Sequence, residues 1–198
     1  MVSEMARKER KRKDVWRAKT WYDIVAPPMF GSAKIGETVA SEPEQLSNRT
    51  LETTLGDLID DFSKSHVKLF FRTKGLKDGR VLTEFIGHDM AREYVRSQVR
   101  RRVTKVDCIT DVVTRDGKRL RVTAMATSLR RVKSSHIDSI RSGMRGAIER
   151  RAEKLTFDAF AQEVVLGKLA ADIYKEIKRI CPIRRVEVQK TKVLKEAT

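Results

Sequence analysis

The stretch Arg92–Arg131, REYVRSQVRRRVTKVDCITDVVTRDGKRLRVTAMATSLRR, reads as a helix, a strand, a tight turn and a second strand. Asp89 is placed to cap the helix start, where a carboxylate can accept from the first orphan amides. Ala91, Val95 and Val99 recur at helical spacing, while Arg92, Arg96 and Arg100 stack along another face. Arg101 and Arg102 close the helix where the negative end of its dipole favours cations. Two runs rich in β-branched residues follow, Val103–Thr114 and Lys118–Leu129, on either side of Asp116-Gly117, a strong hairpin signal.

The register of that hairpin can be argued. A two-residue loop pairs Val112 with Arg121 and Asp111 with Val122, which mixes polar and apolar side chains on both faces. A three-residue loop, Arg115-Asp116-Gly117 with Gly117 left-handed, pairs Val112 with Leu120, Thr110 with Val122, Cys108 with Ala124 and Val106 with Ala126. That register gives one consistently apolar face and sets Asp111 opposite Arg121, so it is the one expected. The unit then has a core side and exposed parts lined with arginine, and no reaction centre accompanies it.

Working outward, the 198-residue chain is long enough to bury a real core. Its net charge of +16 points to a polyanionic partner, nucleic acid before anionic membrane. No apolar run approaches the roughly 20 residues of a spanning helix, so no membrane partner is expected. The basic start is not followed by an apolar segment, so neither is a signal peptide. Cys108 and Cys181 are expected as reduced packing residues of an intracellular protein, and with three scattered histidines they make no zinc set.

Residues 1–20 form a basic arm expected to be disordered alone, carrying Arg7, Lys8, Arg10, Lys11, Arg12, Lys13, Arg17 and Lys19. Aromatics interleave with these cations at Trp16, Trp21 and Tyr22, and such rings can stack on unpaired bases or pack against the body. Trp21-Tyr22-Asp23-Ile24-Val25-Ala26-Pro27-Pro28-Met29-Phe30-Gly31 is apolar and held extended by its paired prolines, as if pinned to the domain surface.

This stretch, followed by Ile35-Gly36-Glu37-Thr38, resembles the opening of the small-subunit ribosomal protein family of archaea and eukaryotes called S-three-A-e, also eukaryotic-type S-one. That family opens with a lysine-rich arm, a Lys-Asp-Trp-Tyr-like motif, then Ala-Pro and Phe; here Thr20 stands where it often has aspartate. Cys181-Pro182-Ile183, then Val186-Glu187-Val188 and Lys190, is similar to the family's end. The likeness runs from Arg7 to Lys195 as scattered motifs in the right order.

Between these ends the charge reverses once. From Glu37 to Asp61, seven carboxylates face only Arg49, so phosphate would repel this stretch, which is expected to point to solvent or to a basic protein neighbour. Arg49–Leu58 is expected to contain a strand. A hairpin of Val67–Thr73 and Arg80–Ile86 turns around Lys77-Asp78-Gly79, with Val67, Leu69 and Phe71 on one side and Phe70 on the other. Beyond the second hairpin, Ser135 and Asp138 suggest a capping box. Ile137, Ile140, Met144 and Ile148 form a buried stripe, Arg141 and Arg145 a cationic pair, and Gly143 and Gly146 allow close helix packing within the fold or close backbone approach to a partner. Thr156 starts a helix with Phe157, Phe160 and Val164 inward, and Gly167 breaks it. A last helix with Leu169, Ile173, Ile177 and Ile180 ends before Pro182, and Ile183–Leu194 forms a closing strand.

The expected fold is α+β: an antiparallel β-sheet or small barrel flanked by helices, with extended basic N- and C-terminal tails. Its parts are the arm 1–20, a β-rich core 21–133 with one helix near 89–102, and a helical segment 134–198 ending in a strand and basic tail. No nucleophile with its base, metal set or phosphate-cradling glycine loop is present, so no enzyme and no cofactor is expected. His88-Asp89 could be imagined as a nuclease pair, but no third group accompanies it.

The candidate RNA-binding residues are those of the arm with Trp16 and Trp21; Arg92, Arg96, Arg100, Arg101 and Arg102; Arg115, Lys118, Arg119 and Arg121; Arg130, Arg131, Lys133, Arg141 and Arg145; and Lys190 and Lys192. Arginine suits bidentate phosphate contact and guanidinium stacking. Cations spread over the whole body, without a recognition-helix module, fit irregular folded RNA better than a duplex groove. The resemblance implies a structural constituent of the small ribosomal subunit, cytoplasmic, bound to ribosomal RNA on the platform near the messenger exit and the RNA 3′ end. It also implies neighbouring platform proteins, messenger RNA and initiation factors as partners. The alternative is a free regulatory protein that binds RNA or DNA.

Overall fold

The computed structural model describes Trp16 and residues 19–194. Its frame is two hairpins joined by the last strand. In the second hairpin, β6 (Lys105–Val113) and β7 (Arg119–Ser128) pair Val112 with Leu120, Thr110 with Val122, Cys108 with Ala124 and Val106 with Ala126. This is the register expected from the three-residue loop, and Gly117 takes φ 77° as that loop demands. Val106, Cys108, Val112, Leu120, Val122 and Ala124 are all buried, so the apolar face was placed correctly.

The first hairpin differs from expectation in its turn. β4 (Val67–Lys77) and β5 (Arg80–Met90) run up to a two-residue loop in which Asp78 and Gly79 have φ 51° and 74°. An Asp-Gly pair with both residues left-handed matches strand twist, so Lys77 and Arg80 pair and the strands lengthen. Leu69 and Phe71 are wholly buried, while Phe70 on the opposite side is half-buried.

The closing strand, β8 (Ile183–Val193), does not lie at an edge. It runs between β5 and β7, antiparallel to both, and so welds the hairpins into one sheet. Gly87 makes the join possible: a Cβ there would stand 2.2 Å from the Thr191 carbonyl oxygen.

β1 (Thr20–Val25) pairs antiparallel with β2 (Lys34–Ala40) but parallel with the start of β5, through Asp23–Arg80, Ile24–Val81 and Val25–Leu82. The eight-stranded sheet is antiparallel as expected except at this one parallel pairing, which makes it mixed within the α+β fold. Past β1 the chain turns at Pro28–Phe30 and sets Phe30 against Phe71 and Phe85, with ring centroids 5.7 and 5.6 Å away. β3 (Thr50–Thr54) pairs with β4, and the strand expected over Arg49–Leu58 stops at Thr54. There Thr54 and Asp57 form a reciprocal capping box that opens the short helix α1 (Leu55–Ile59). Arg49, the only cation between Glu37 and Asp61, is used internally. Its guanidinium donates to Thr38 Oγ1 (2.8 Å), the Val39 carbonyl (3.1 Å) and the Gln45 carbonyl (2.8 Å). It thereby ties β3 back to β2 around a second, small core of Ile24, Ala40, Leu46 and Val81.

The helix α2 (Arg92–Gln98) is shorter than the expected Arg92–Arg102. Val99 is extended and 42% exposed, with nothing to pack against, and three successive arginines follow. A further helical turn would stack like charges without burying a face, so the chain leaves the helix instead. Asp89 does not cap α2. It lies in β5, opposite Lys190 of β8, and its carboxylate takes the Lys190 ammonium at 2.8 Å; Ala91 occupies the cap position.

Three helices, α3 (Ser134–Lys154), α4 (Phe157–Val165) and α5 (Lys168–Ile177), complete the main core; α3 packs on β6 and α5 on β8. Ile140, Met144 and Ile148 are fully buried and Ile137 partly so, as the stripe required. The Ser135–Asp138 box is absent, because the helix starts at Ser134 and already contains both residues; Asp138 pairs with Arg141 at 3.4 Å instead. Gly143 admits α5 closely, since a Cβ would lie 3.4 Å from Ile177 Cγ2. Gly167, at φ 84°, separates α4 from α5. Cys108 and Cys181 are free thiols, and burial pushes the Cys181 thiol up.

Candidate nucleic-acid interface

The chain leaves α2 and enters β6 through Arg100-Arg101-Arg102-Val103-Thr104, with Arg102 at φ 66°. It leaves β7 through Leu129-Arg130-Arg131-Val132-Lys133 before α3. A clasp of hydrogen bonds holds these two segments side by side. Thr104 N–H donates to Ser128 Oγ (3.0 Å), Ser128 N–H to the Thr104 carbonyl (3.0 Å), and Val132 N–H to Thr104 Oγ1 (3.1 Å). Ser128 Oγ also donates to the Arg130 carbonyl at 2.5 Å.

The result is a collar of six cations, Arg100, Arg101, Arg102, Arg130, Arg131 and Lys133, all exposed. None has a carboxylate partner among the described residues. Arg92 and Arg96 stand exposed and equally unpartnered on α2, just upstream. Cations gathered in this way, with no carboxylate partner among the described residues, repel one another, and an external anion would relieve that repulsion. Sequence reasoning named every residue of the collar but not its assembly; the Thr104–Ser128 pairing, one step beyond the paired strand ends, was its only signal.

The other candidates divide. Arg115 and Arg119 are exposed at the β6–β7 turn. Lys118 lies 4.2 Å over the Phe157 ring, and Asp116 between them caps α4 by accepting from Phe157 N–H at 2.9 Å. Much of this turn is therefore occupied in holding the hairpin to α4. Arg121 binds Asp111 through both arms of its fork, at 2.6 and 2.7 Å. The guanidinium holds the Asp111 carboxyl below its ordinary range, and the carboxylate raises the arginine in return. Arg141 pairs with Asp138 and Lys190 with Asp89, whereas Arg145 and Lys192 are exposed without a carboxylate among the described residues. Arg121 and Arg145 line one shallow depression with Ile109 and Asp111. Trp16 and Trp21 are each 66% exposed, with Lys19 Nζ 4.8 Å over the Trp16 ring. Arg7, Lys8, Arg10, Lys11, Arg12, Lys13 and Arg17 lie outside the described residues.

The imagined His88–Asp89 pair has no catalytic geometry. His88 is 1% exposed inside the β5–β8 join, with Nε2 3.0 Å from the Val188 carbonyl and Nδ1 2.7 Å from Thr191 Oγ1. Nε2 therefore donates and Nδ1 accepts, which is the neutral ring, and burial pushes its pKa down to about 4. Among the described residues no cluster of His, Cys, Asp or Glu could hold a metal ion, and no helix is long and apolar enough to cross a membrane.

An α+β body that gathers six exposed cations with no carboxylate partner among the described residues has the make-up of a scaffold for a polyanion. The comparisons with known proteins narrow it further. The model of the Ribosomal S3Ae family matches residues 7–197, and the chain belongs to that family. It is similar to small ribosomal subunit protein eS1 of Sulfurisphaera tokodaii, 46% identical over 183 residues covering 92% of this chain and 95% of that one. The proteins of the same name from Methanothrix thermoacetophila and Methanoculleus marisnigri are 42% and 39% identical, covering 96% of this chain and 90% and 97% of theirs. Family membership makes the chain a structural ribosomal protein, not an enzyme, with its place on the cytoplasmic ribosome.

Proposed function

We propose that this chain, a structural constituent of the small ribosomal subunit, is held there by ribosomal RNA whose phosphates neutralise the Thr104–Ser128 collar. The gathering by one clasp of six cations that have no carboxylate partner among the described residues is the observation that carries this reading. Arg92, Arg96, Arg119, Arg145 and Lys192 extend the contact, and the basic arm with Trp16 and Trp21 adds cations and stacking surfaces. The residues that resemble the S-three-A-e family support a place on the platform, near the messenger exit and the RNA 3′ end. Messenger RNA and initiation factors are partners implied by the same resemblance.

Arg121, Arg141 and Lys190 are secondary contacts, because RNA must first displace Asp111, Asp138 or Asp89. Sedimentation tests the reading. The chain should comigrate with the small subunit in a sucrose gradient of native lysate and leave it when all six collar cations are replaced by glutamine. A chain that stays in the light fractions, or a collar variant that stays with the subunit, would refute it.

A further inference from the structure

Phe62 is the most exposed large apolar side chain among the described residues, at 94%, and Ile59 beside it is 45% exposed. The backbone beneath them is firmly bonded. Asp60 takes φ 57° and closes α1, its N–H donating to the Gly56 carbonyl. The Asp61 carboxylate accepts from Ser63 N–H at 3.0 Å, and Lys64 N–H donates to the Asp61 carbonyl at 3.0 Å. The Phe62 carbonyl accepts from Ser65 N–H at 3.2 Å and also from Ser65 Oγ. Gly56 allows this turn to close against the helix, since a Cβ there would sit 3.0 Å from the Asp61 carbonyl oxygen. The ring is thus held out in water by a rigid turn.

Its surroundings are unlike those of the other exposed aromatics. Lys19 lies over Trp16, and Trp16 and Trp21 belong to the basic end of the chain. Phe62 and Ile59 instead sit among Asp57, Asp60 and Asp61, with Lys64 the only cation in residues 50–67 and 4.0 Å from Asp61. Ribose-phosphate chains would be repelled there, although a bare ring could stack on a base. A second copy would bring the same carboxylates face to face. A hydrophobic anchor ringed by one sign of charge matches a protein surface of the opposite sign.

We propose that Phe62 and Ile59 dock into an apolar pocket on a lysine- and arginine-rich protein neighbour, with Asp57, Asp60 and Asp61 pairing with that neighbour's cations. This rests on the ribosomal reading above and adds the chemistry of one partner and the residues that meet it. The test places photoreactive benzoylphenylalanine at position 62 of the full chain, purifies small subunits by sedimentation, irradiates them, and identifies the adduct by mass spectrometry. The expected adduct is on a Lys/Arg-rich peptide of a different protein. Its yield should fall at least about fivefold in the D60N/D61N background, which keeps both turn conformations while removing two charges. An adduct on RNA, on a second copy or on the chain's own basic arm would overturn the proposal. So would subunits that contain the chain yet give no adduct, or a yield indifferent to D60N/D61N. A chain missing from the subunit fraction would contradict the ribosomal reading itself.

Discussion

The collar at Thr104–Ser128 and the seam where α3 meets α4 and α5 are both rich in cations, yet they are built on opposite terms. In the seam every arginine has a carboxylate in reach. Arg151 grips Glu163 at 2.6 and 2.7 Å and approaches Asp172 at 3.9 Å, Arg150 pairs with Glu176, and Lys175 pairs with Asp172 at 3.3 Å. In the collar six cations share two short loops and no carboxylate among the described residues answers them. A tally of charges along the sequence treats the two alike. What separates them is whether the fold supplies the counter-charge itself or leaves it to a partner, so the seam holds the fold together, and binding is the role proposed for the collar.

That contrast can be broken most decisively by exchanging the consequences. Replacing all six collar residues with glutamine should weaken binding to small-subunit RNA by about 1,000-fold at 0.1 M salt, measured by filter binding, with the melting temperature unchanged. A large fall in melting temperature with normal affinity would reverse the assignment. R151M is the mirror experiment. It leaves Glu163, with its side chain only 16% exposed, without its fork, so the chain should lose about 1 kcal/mol in urea unfolding while RNA affinity stays within twofold. A tenfold loss of affinity there would show that paired arginines bind too.

Arg121 stands between the two regions, since it is exposed but already held by Asp111. D111N should release it and raise RNA affinity by about two- to threefold, whereas R121Q should lower it less than R100Q does. If R121Q were the more damaging, local pairing would not be what decides availability.

The smallest effect sharpens the comparison through pH. Arginines do not titrate in the working range, so RNA affinity should be flat from pH 8 to pH 6. His88 behaves otherwise, because burial lowers its folded pKa from 6.5 to about 4. Below pH 6.5 the unfolded chain takes up a proton that the folded one refuses, so stability is full above 6.5 and declines as pH falls toward 4. Urea midpoints should therefore drop between pH 7 and 5 in the wild-type chain and less so in H88N. A binding curve that tracked the urea midpoints would mean that fold integrity, not collar charge, governs affinity.

The legible and illegible parts of this chain follow the range of the interactions involved. The β6–β7 register was readable because a period of two with a fixed Gly117 turn leaves a single way to keep Val106, Cys108, Val112, Leu120, Val122 and Ala124 on one face. The helical stripe of α3 was readable for the same reason at a period of 3.6. Contacts across long separations were not. Nothing near Asp89 announces Lys190, and nothing near Gly87 announces that β8 will pass so close to it. The parallel pairing of β1 with β5 and the internal use of Arg49 are equally non-local. At the interface the sequence named the cations but could not sort them. Asp111 opposite Arg121 was visible from register, while the clasp that gathers Arg100–Arg102 with Arg130–Lys133 needed the folded chain.

The most direct measurement of the central claim is the salt dependence of RNA affinity, taken side by side for the wild-type chain and the six-site collar variant. If phosphates neutralise the collar, log K against log salt should be steep for the wild type. Each collar cation that meets a phosphate contributes roughly 0.7 to 0.9 to that slope, so the variant should be shallower by about 4 to 5 units. Parallel lines for the two proteins would contradict the account, because they would mean that the collar neutralises no phosphate.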